Sequence, residues 1–308
     1  MSYESTIALI RRACGNDTLT KYIEKDFHEN SFVNYYSKTT NKEYRILEWL
    51  FSRGAMHTNL GFGEYDVQIE SIQNYCSSMK AKRVLEVGCG KGHCTLQLAS
   101  KLSDVSFQGI DAVEKHVCVA RKKADSKCTF VHANILSADA SLDSKFNLVF
   151  GIESLCHMDS PTKTNAFMKC ASQLMEGPGS RLIIIDGFRM STFEALDSTQ
   201  QQMMHLAESG FRIKAMPSKA QWIACAKMHG FELERDEDWT MDALPFWRIS
   251  RRIAHVLLWI PCLCRFLQAF EWTRESVSNI ISGATVAGAL ECGAAEYGIL
   301  VFRMLYNP

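Results

Sequence analysis

A glycine-rich segment, VLEVGCGKGHC at residues 84–94, constrains the fold of this chain more than any other stretch. Its first residues, Val84–Val87, are β-branched or apolar, and glycines follow at the alternate positions Gly88, Gly90 and Gly92. Because a helical pattern begins directly afterwards, the segment predicts a strand, a tight turn and a helix. Such a turn presents backbone N–H groups and a helix N-terminus to a ligand, so it is a candidate cofactor site.

Strands and helices alternate along the chain after this turn. Strands are predicted at 106–110, 128–132, 146–150 and 181–185, with a last strand at 298–305. This alternation favours a parallel sheet with helices on both faces, in which ligands bind beyond the carboxyl ends of the strands. Polar residues at or just after the ends of the predicted strands are therefore expected at one edge: Glu86, Asp111, Asn134, Glu153 and Asp186.

Composition excludes several classes of protein. The net charge is zero, which gives no electrostatic footprint for nucleic acid. The twelve cysteines are scattered without paired C-x-x-C motifs, and no His/Asp cluster has ligand spacing, so no metal site is expected and the thiols are expected to be reduced. The first twelve residues lack the pattern of a signal peptide, which favours a cytoplasmic location.

Helical regions flank the α/β core. Residues 1–80 are predicted to form a helical N-terminal cap, and residues 81–308 the α/β domain, with helical insertions at about 190–228 and 238–295. Residues 248–270 are rich in apolar side chains and arginine, but their apolar run of about 12 residues is short for a membrane span. Two interpretations stay open: a buried helix pair, or a lipophilic lid that also makes peripheral membrane contact.

The glycine turn resembles the first motif of the class I S-adenosylmethionine (SAM)-dependent methyltransferases, an acid followed by G-x-G-x-G, here EVGCGKG at 86–92. Asp111 matches the family's acid for the ribose hydroxyls, and residues 133–135 lie where the family contacts adenine. The resemblance implies a doubly wound, seven-stranded, mostly parallel sheet of Rossmann-like type and SAM as cofactor. The implied cofactor-binding residues are Glu86, Gly88, Cys89, Gly90, Gly92, Asp111, Ala112, Asn134 and Ile135.

Further segments resemble one branch of that family, which holds sterol, tocopherol, alkaloid N- and isoprenyl-diphosphate C-methyltransferases. They are IESLCHM at 152–158, the loop at 56–62, the segments at 238–240 and 245–247, and the small residues before the last strand. By position in these segments, the candidate catalytic residues are Glu153, His157 and His57.

The expected function is transfer of a methyl group from SAM to a small, lipophilic or isoprenoid-like acceptor. Methyl transfer is an in-line displacement, so the protein chiefly has to hold donor and acceptor aligned and dry. An N-methyltransferase of a small amine or alkaloid-like molecule is an alternative, and a non-catalytic cofactor-binding partner subunit is another. Neither the acceptor atom nor the oligomeric state follows from these residues.

Overall fold

The computed structural model describes residues 2–24, 31–39, 58, 60, 66–137, 142, 145–270 and 274–306. The helices in these ranges are α1 Tyr3–Cys14, α2 Asn16–Ile23, α3 Ser31–Thr39, α4 Val67–Met79, α5 His93–Lys101, α6 Glu114–Arg121, α7 Pro161–Leu174, α8 Ser198–Gly210, α9 Lys219–Met228, α10 Thr240–Leu258, α11 Pro261–Ala269 and α12 Arg274–Glu291. The strands are β1 Arg83–Val87, β2 Ser106–Asp111, β3 Cys128–His132, β4 Leu148–Ile152, β5 Arg181–Arg189, β6 Phe231–Asp238 and β7 Ala295–Met304.

All seven strands form one sheet in the order β3-β2-β1-β4-β5-β7-β6. The pairs from β3 to β5 are parallel, whereas β7 lies antiparallel to both β5 and β6. The order reverses between β1 and β4, where doubly wound sheets bind their ligands. The predicted seven-stranded, mostly parallel Rossmann-like sheet is confirmed.

The central strands form because their side chains are buried on both faces of the sheet. All five residues of β4 are buried, as are the last four of β1, and neither strand shows an alternating pattern of apolar and polar residues. One apolar cluster lies on each face, so the sheet is covered on both sides. This burial fixes the strand ends, and therefore the positions of the residues that follow them.

Local signals set the ends of several helices. The side chain of Asp66 accepts a hydrogen bond from the N–H of Ile69 and begins α4, which ends at Lys80 in a left-handed conformation. Ser160 caps α7 in the same way, and Pro161 occupies its first position.

The N-terminal helices pack on the helices of the insertions. Apolar residues of α1 and α2 form one buried cluster with residues of α8, α10, α11 and α12. The cap and the insertions therefore build a common helical layer. The boundary at residue 80 and the bounds of the insertions stay predictions.

Helices α10 and α11 meet at an angle of 88°. No single helix in the described ranges is long and apolar enough to cross a membrane, although this bent pair reaches the required length and composition when taken together.

Candidate functional site

The glycine turn after β1 folds in a conformation that side chains rarely adopt. Gly88, Gly90 and Gly92 have φ values of +75°, +53° and +78°. A Cβ atom at Gly88 would overlap the side chain of Ser154, and one at Gly92 would lie 2.7 Å from the ring of Phe130. At Gly90, by contrast, no atom lies within 4 Å of the Cβ position. The turn therefore packs tightly at its ends and leaves an open space at its middle.

The carboxylate of Asp111 holds this turn in place. Its Oδ2 accepts a hydrogen bond from the N–H of Gly90 (2.8 Å), and its Oδ1 accepts one from the N–H of Val113 (2.7 Å). The Nδ1 atom of His116 lies 3.6 Å from Oδ1, and neither ring nitrogen of this buried histidine has a hydrogen-bond partner within the described part of the chain. Asp111 thus shapes the loop, and it keeps further lone pairs for ligand hydroxyls.

The carboxylate of Glu86 lies fully inside the protein at the end of β1. Its Oε2 accepts hydrogen bonds from the backbone N–H (3.0 Å) and the hydroxyl of Thr95 at the start of α5. Burial raises the pKa of Glu86 to about 7, since removal from water disfavours the charged form. A cationic group of a ligand would favour the ionised form of this residue.

A pocket of about 190 Å³ opens at this edge of the sheet. Every residue predicted to bind the cofactor lines it except Gly92, which packs against Phe130 and Ala120 instead. The open space at Gly90 gives the cradle room for a ligand, and the ring nitrogens of His116, which make no hydrogen bond to any described residue, offer it polar atoms. Together with the carboxylates of Glu86 and Asp111, these residues fit SAM.

The structure adds lining residues that were predicted neither to bind the cofactor nor to act in catalysis, among them Phe32, Tyr36, Lys91, His93, Cys94, Ile110, Val113, His116, Ser154 and Met158. Lys91, His93 and Cys94 belong to the glycine segment, and His116 follows Asp111 by five residues, so position in the motifs could have identified them. Phe32 and Tyr36 come from α3. The aromatic-rich stretch at 32–36 makes Tyr36 a candidate for an aromatic face near the acceptor, but it does not indicate that these residues line the cofactor pocket.

His157 lies in the same pocket, in an aromatic environment. Its ring stacks on Phe32, with centroids 4.8 Å apart, and its Nε2 lies 3.3 Å from the hydroxyl of Tyr36. Burial lowers the pKa of His157 to about 4, so the ring is neutral at neutral pH. The third predicted catalytic residue, His57, lies outside the described residues.

Glu153 occupies a strained and well-anchored position after β4. Its φ of +48° is unusual for a residue with a side chain. Its Oε1 accepts hydrogen bonds from the N–H of Thr58 (2.8 Å) and the hydroxyl of Tyr297 (2.7 Å). Burial raises the pKa of Tyr297 well above its ordinary value, which keeps this phenol a donor. These contacts fix the direction of the carboxylate.

A second cavity, of about 580 Å³, adjoins the first. Glu153 and Tyr36 line both spaces, so the two meet at these side chains. The walls are mostly apolar and come from α8, α10, α11 and α12, with Phe246, Trp247 and Leu257 among them. The volume falls within the usual range for sites that bind small molecules.

Asp186, at the edge of the larger cavity, is also buried. It accepts hydrogen bonds from the N–H groups of Cys156 (2.9 Å) and Gly187 (2.8 Å). Burial, together with the nearby charge of Glu153, raises the pKa of Asp186 to about 7. The carboxyl groups of Glu153 and Asp186 therefore both line the larger cavity, and burial keeps Asp186 partly protonated at neutral pH.

Replacement of Gly90 by leucine is expected to abolish SAM binding, because the side chain would enter the open part of the pocket. Gly179→Leu is a matched control, since Gly179 also has a positive φ (+91°) and open surroundings but lies outside the pocket. Both variants carry left-handed strain on the order of 1–2 kcal/mol. Isothermal titration calorimetry with SAM distinguishes the two variants, because only Gly90→Leu should lose binding. Wild-type affinity in Gly90→Leu would show that this pocket is not the SAM site.

Glu86 and Asp186 are expected to lower the stability of the ligand-free protein as the pH rises, whereas buried His157, whose pKa is lowered, acts in the opposite direction. The folded protein holds Glu86 protonated up to about pH 7, whereas the unfolded chain releases this proton near pH 4.5. The free energy of unfolding therefore declines between these values, by up to about 3 kcal/mol from this residue. Asp186 contributes in the same direction. Urea denaturation over this pH range measures the loss.

Glu86→Gln should flatten this pH dependence, because the variant has no proton to release at this position. Glu114→Gln alters an exposed glutamate in the first turn of α6 and should retain the wild-type slope. Identical slopes for Glu86→Gln and the wild type would show that the buried carboxylate is not the cause.

Comparisons with known proteins agree with this geometry. A family model described as a methyltransferase domain matches residues 84–177, which contain the glycine turn and the β4 edge. The chain is 31% identical to the O-methyltransferase rstn1 of Aspergillus nomiae over 163 residues, 51% of this chain and 67% of that protein. It is 28% identical to the chloroplastic tocopherol O-methyltransferase of Arabidopsis thaliana over 212 residues, 67% of this chain and 60% of that protein.

A solved structure shares the fold across the full domain. The mycolic acid cyclopropane synthase CmaA1, in complex with SAH and CTAB, superposes with a TM-score of 0.65 at 13% identity, and the match covers 87% of this chain and 98% of that one. The chain spans about 60% of the length of the tocopherol enzyme. On these grounds the chain belongs to the class I SAM-dependent methyltransferases, in the branch that includes tocopherol and sterol methyltransferases.

Proposed function

We propose that this protein transfers a methyl group from SAM to a small lipophilic acceptor that binds in the larger cavity. One observation carries the proposal: the cofactor pocket and a mostly apolar cavity of about 580 Å³ meet at Glu153 and Tyr36. A methyl donor in one space and an acceptor in the other would face each other at this junction. In-line displacement needs this arrangement.

The charge of the cavity favours an acceptor without phosphate groups. Among the described residues that line it, none is lysine or arginine, and Glu153, Asp186 and Glu296 are acidic. A diphosphate requires cationic partners, either arginine and lysine or a divalent cation held by carboxylates. The described residues contain no group of three or more His, Cys, Asp or Glu side chains that could hold a metal ion. An uncharged acceptor such as a prenylated phenol or a sterol fits these walls better than an isoprenyl diphosphate does.

The residues at the junction have distinct chemical roles. Bound SAM supplies an activated methyl group. Glu153 accepts a proton from an acceptor hydroxyl, or stabilises positive charge that develops on the acceptor. His157, which is neutral and packed against Phe32, holds the hydroxyl of Tyr36 at 3.3 Å and so orients the aromatic wall. The apolar side chains of α10 and α12 exclude water.

A small amine is the second candidate acceptor. The carboxyl groups of Glu153 and Asp186, with no lysine or arginine among the described lining residues, would attract a protonated amine. Such an amine has to give a proton to Glu153 before its nitrogen can accept the methyl group. The mostly apolar surface of the cavity supports the lipid over a compact polar amine.

The cellular location is part of the same proposal. The twelve cysteines are all free thiols, and most of them are buried. Free thiols are usual in reducing compartments. We therefore propose that the protein is located in the cytoplasm.

An acceptor panel tests the proposed function. Purified protein is incubated with methyl-labelled SAM and a prenylated phenol, a sterol, an isoprenyl diphosphate or an alkaloid-like amine, and products are detected by mass spectrometry. We expect methylation of an uncharged lipophilic acceptor and none of the diphosphate. SAM binding without product from any acceptor would favour the non-catalytic alternative, and turnover of the diphosphate would contradict the charge argument.

A cavity-filling variant ties that activity to the larger space. Val286 is partly buried in α12 and lines the cavity, so Val286→Phe should raise the KM for the acceptor at least tenfold while the affinity for SAM stays unchanged. Val67→Phe adds the same bulk at an exposed position on α4 and serves as the control. Equal kinetics in the two variants would place the acceptor elsewhere.

Glu153→Gln is expected to lower kcat by about 100-fold or more, because it removes the charge at the junction. The amide oxygen can still accept hydrogen bonds from Thr58 and Tyr297, so the side chain keeps its position. Affinity for SAM should change little. An equal loss in kcat and in SAM affinity would make Glu153 a cofactor-binding residue instead.

A further inference from the structure

The outer surface of α10 and α11 carries an unusual number of exposed apolar side chains. On α10 and just beyond its end, Ile249, Ile253, Val256 and Ile260 follow a helical spacing of four, three and four residues. Val256 on α10 is 63% exposed. The exposed apolar side chains continue at Trp259 in the bend (57%) and at Phe266 on α11 (56%). We call these residues, with Phe270, the outer apolar surface. Soluble proteins rarely expose such a contiguous set without a partner.

The same two helices wall the acceptor cavity with their other sides. Ala254 and Leu257 of α10 line it, as do Leu263 and Leu267 of α11. Ile253 belongs to both sets, since it lines the cavity and is 39% exposed. The outer apolar surface is therefore separated from the cavity by one layer of helix, and it reaches the cavity wall at Ile253.

Within residues 243–270, which lie between Asp242 and Glu271 and carry this surface, the charged side chains are all cationic. Residues 243–270 contain no aspartate or glutamate and carry four arginines. Arg248 and Arg251 pair with Glu291, whereas Arg252 and Arg265 are exposed and form no ion pair with any described residue. The guanidinium of Arg12, on α1, lies 4.6 Å from the ring centroid of Trp259. Cationic side chains thus border the outer apolar surface.

We propose that the outer apolar surface docks this protein onto a bilayer that contains anionic lipids. Apolar side chains would enter the acyl boundary, Trp259 would lie at the headgroup level, and the arginines would meet lipid phosphates. A second copy of the chain is a poorer partner, because residues 243–270 offer no carboxylate to another copy's arginines. Delivery of a lipid from the bilayer to the cavity at Ile253 rests on the proposed function, but the docking does not.

Sedimentation with sucrose-loaded vesicles tests the docking. The full-length protein should bind vesicles of phosphatidylcholine with phosphatidylserine, and bind vesicles of phosphatidylcholine alone more weakly. Val256→Asp/Phe266→Asp should reduce binding at least about tenfold, because both side chains are exposed and neither lines the cavity. Arg252→Glu/Arg265→Glu should reduce binding to the anionic vesicles by about 30-fold or more.

Met228→Asp/Met241→Asp is the matched control, since it adds the same charge at two exposed apolar residues outside the outer apolar surface. It should bind vesicles like the wild type. SAM calorimetry and a thermal melt on each variant verify the fold without any acceptor, so a failure of docking stays distinct from a failure of the proposed function. The proposal is overturned if the wild type does not sediment, if Val256→Asp/Phe266→Asp binds normally, or if the wild type is a dimer that this substitution separates.

Discussion

Hydrogen bonds between strand-end carboxylates and loop backbone hold the carboxyl edge of the sheet together. Four acids take part, each accepting at least one backbone N–H: Glu86 from Thr95, Asp111 from Gly90 and Val113, Glu153 from Thr58, and Asp186 from Cys156 and Gly187. A buried carboxylate is costly unless it has such partners, and a loop N–H needs an acceptor away from water. Each need is met by the other, so the pocket is formed before any ligand arrives.

This arrangement also accounts for the electrostatics of the edge. Burial outweighs the hydrogen bonds at Glu86 and Asp186, and it raises the pKa of each to about 7. These two carboxyl groups therefore reduce the stability of the ligand-free protein near neutral pH, against the opposite contribution of His157. A cationic ligand would offset that cost at Glu86, which is how a binding site trades stability for affinity.

Glu153 connects the two halves of the site. Its left-handed backbone costs on the order of 1 kcal/mol, and the bonds from Thr58 and Tyr297 stabilise the side chain in return. Those partners come from opposite ends of the chain, one before the sheet and one on its last strand. The junction between cofactor pocket and acceptor cavity therefore exists only when both ends are folded.

The amino-acid sequence determined the parts of this protein that depend on short stretches. Strand, glycine turn and helix follow one another within 84–94, and neighbouring parallel strands place Asp111 beside that turn, so local patterns predicted the α/β fold and the edge that holds the site. The cofactor and the family were predicted from the resemblance of these motifs to known methyltransferases. Only the tertiary structure showed that α3 brings Phe32 and Tyr36 into the site, that Gly92 faces the core, and that burial leaves His157 neutral. Residues more than a hundred positions apart come into contact only when the helical layers pack on the sheet, and the same packing removes water from a side chain. No local pattern in the sequence specifies that packing.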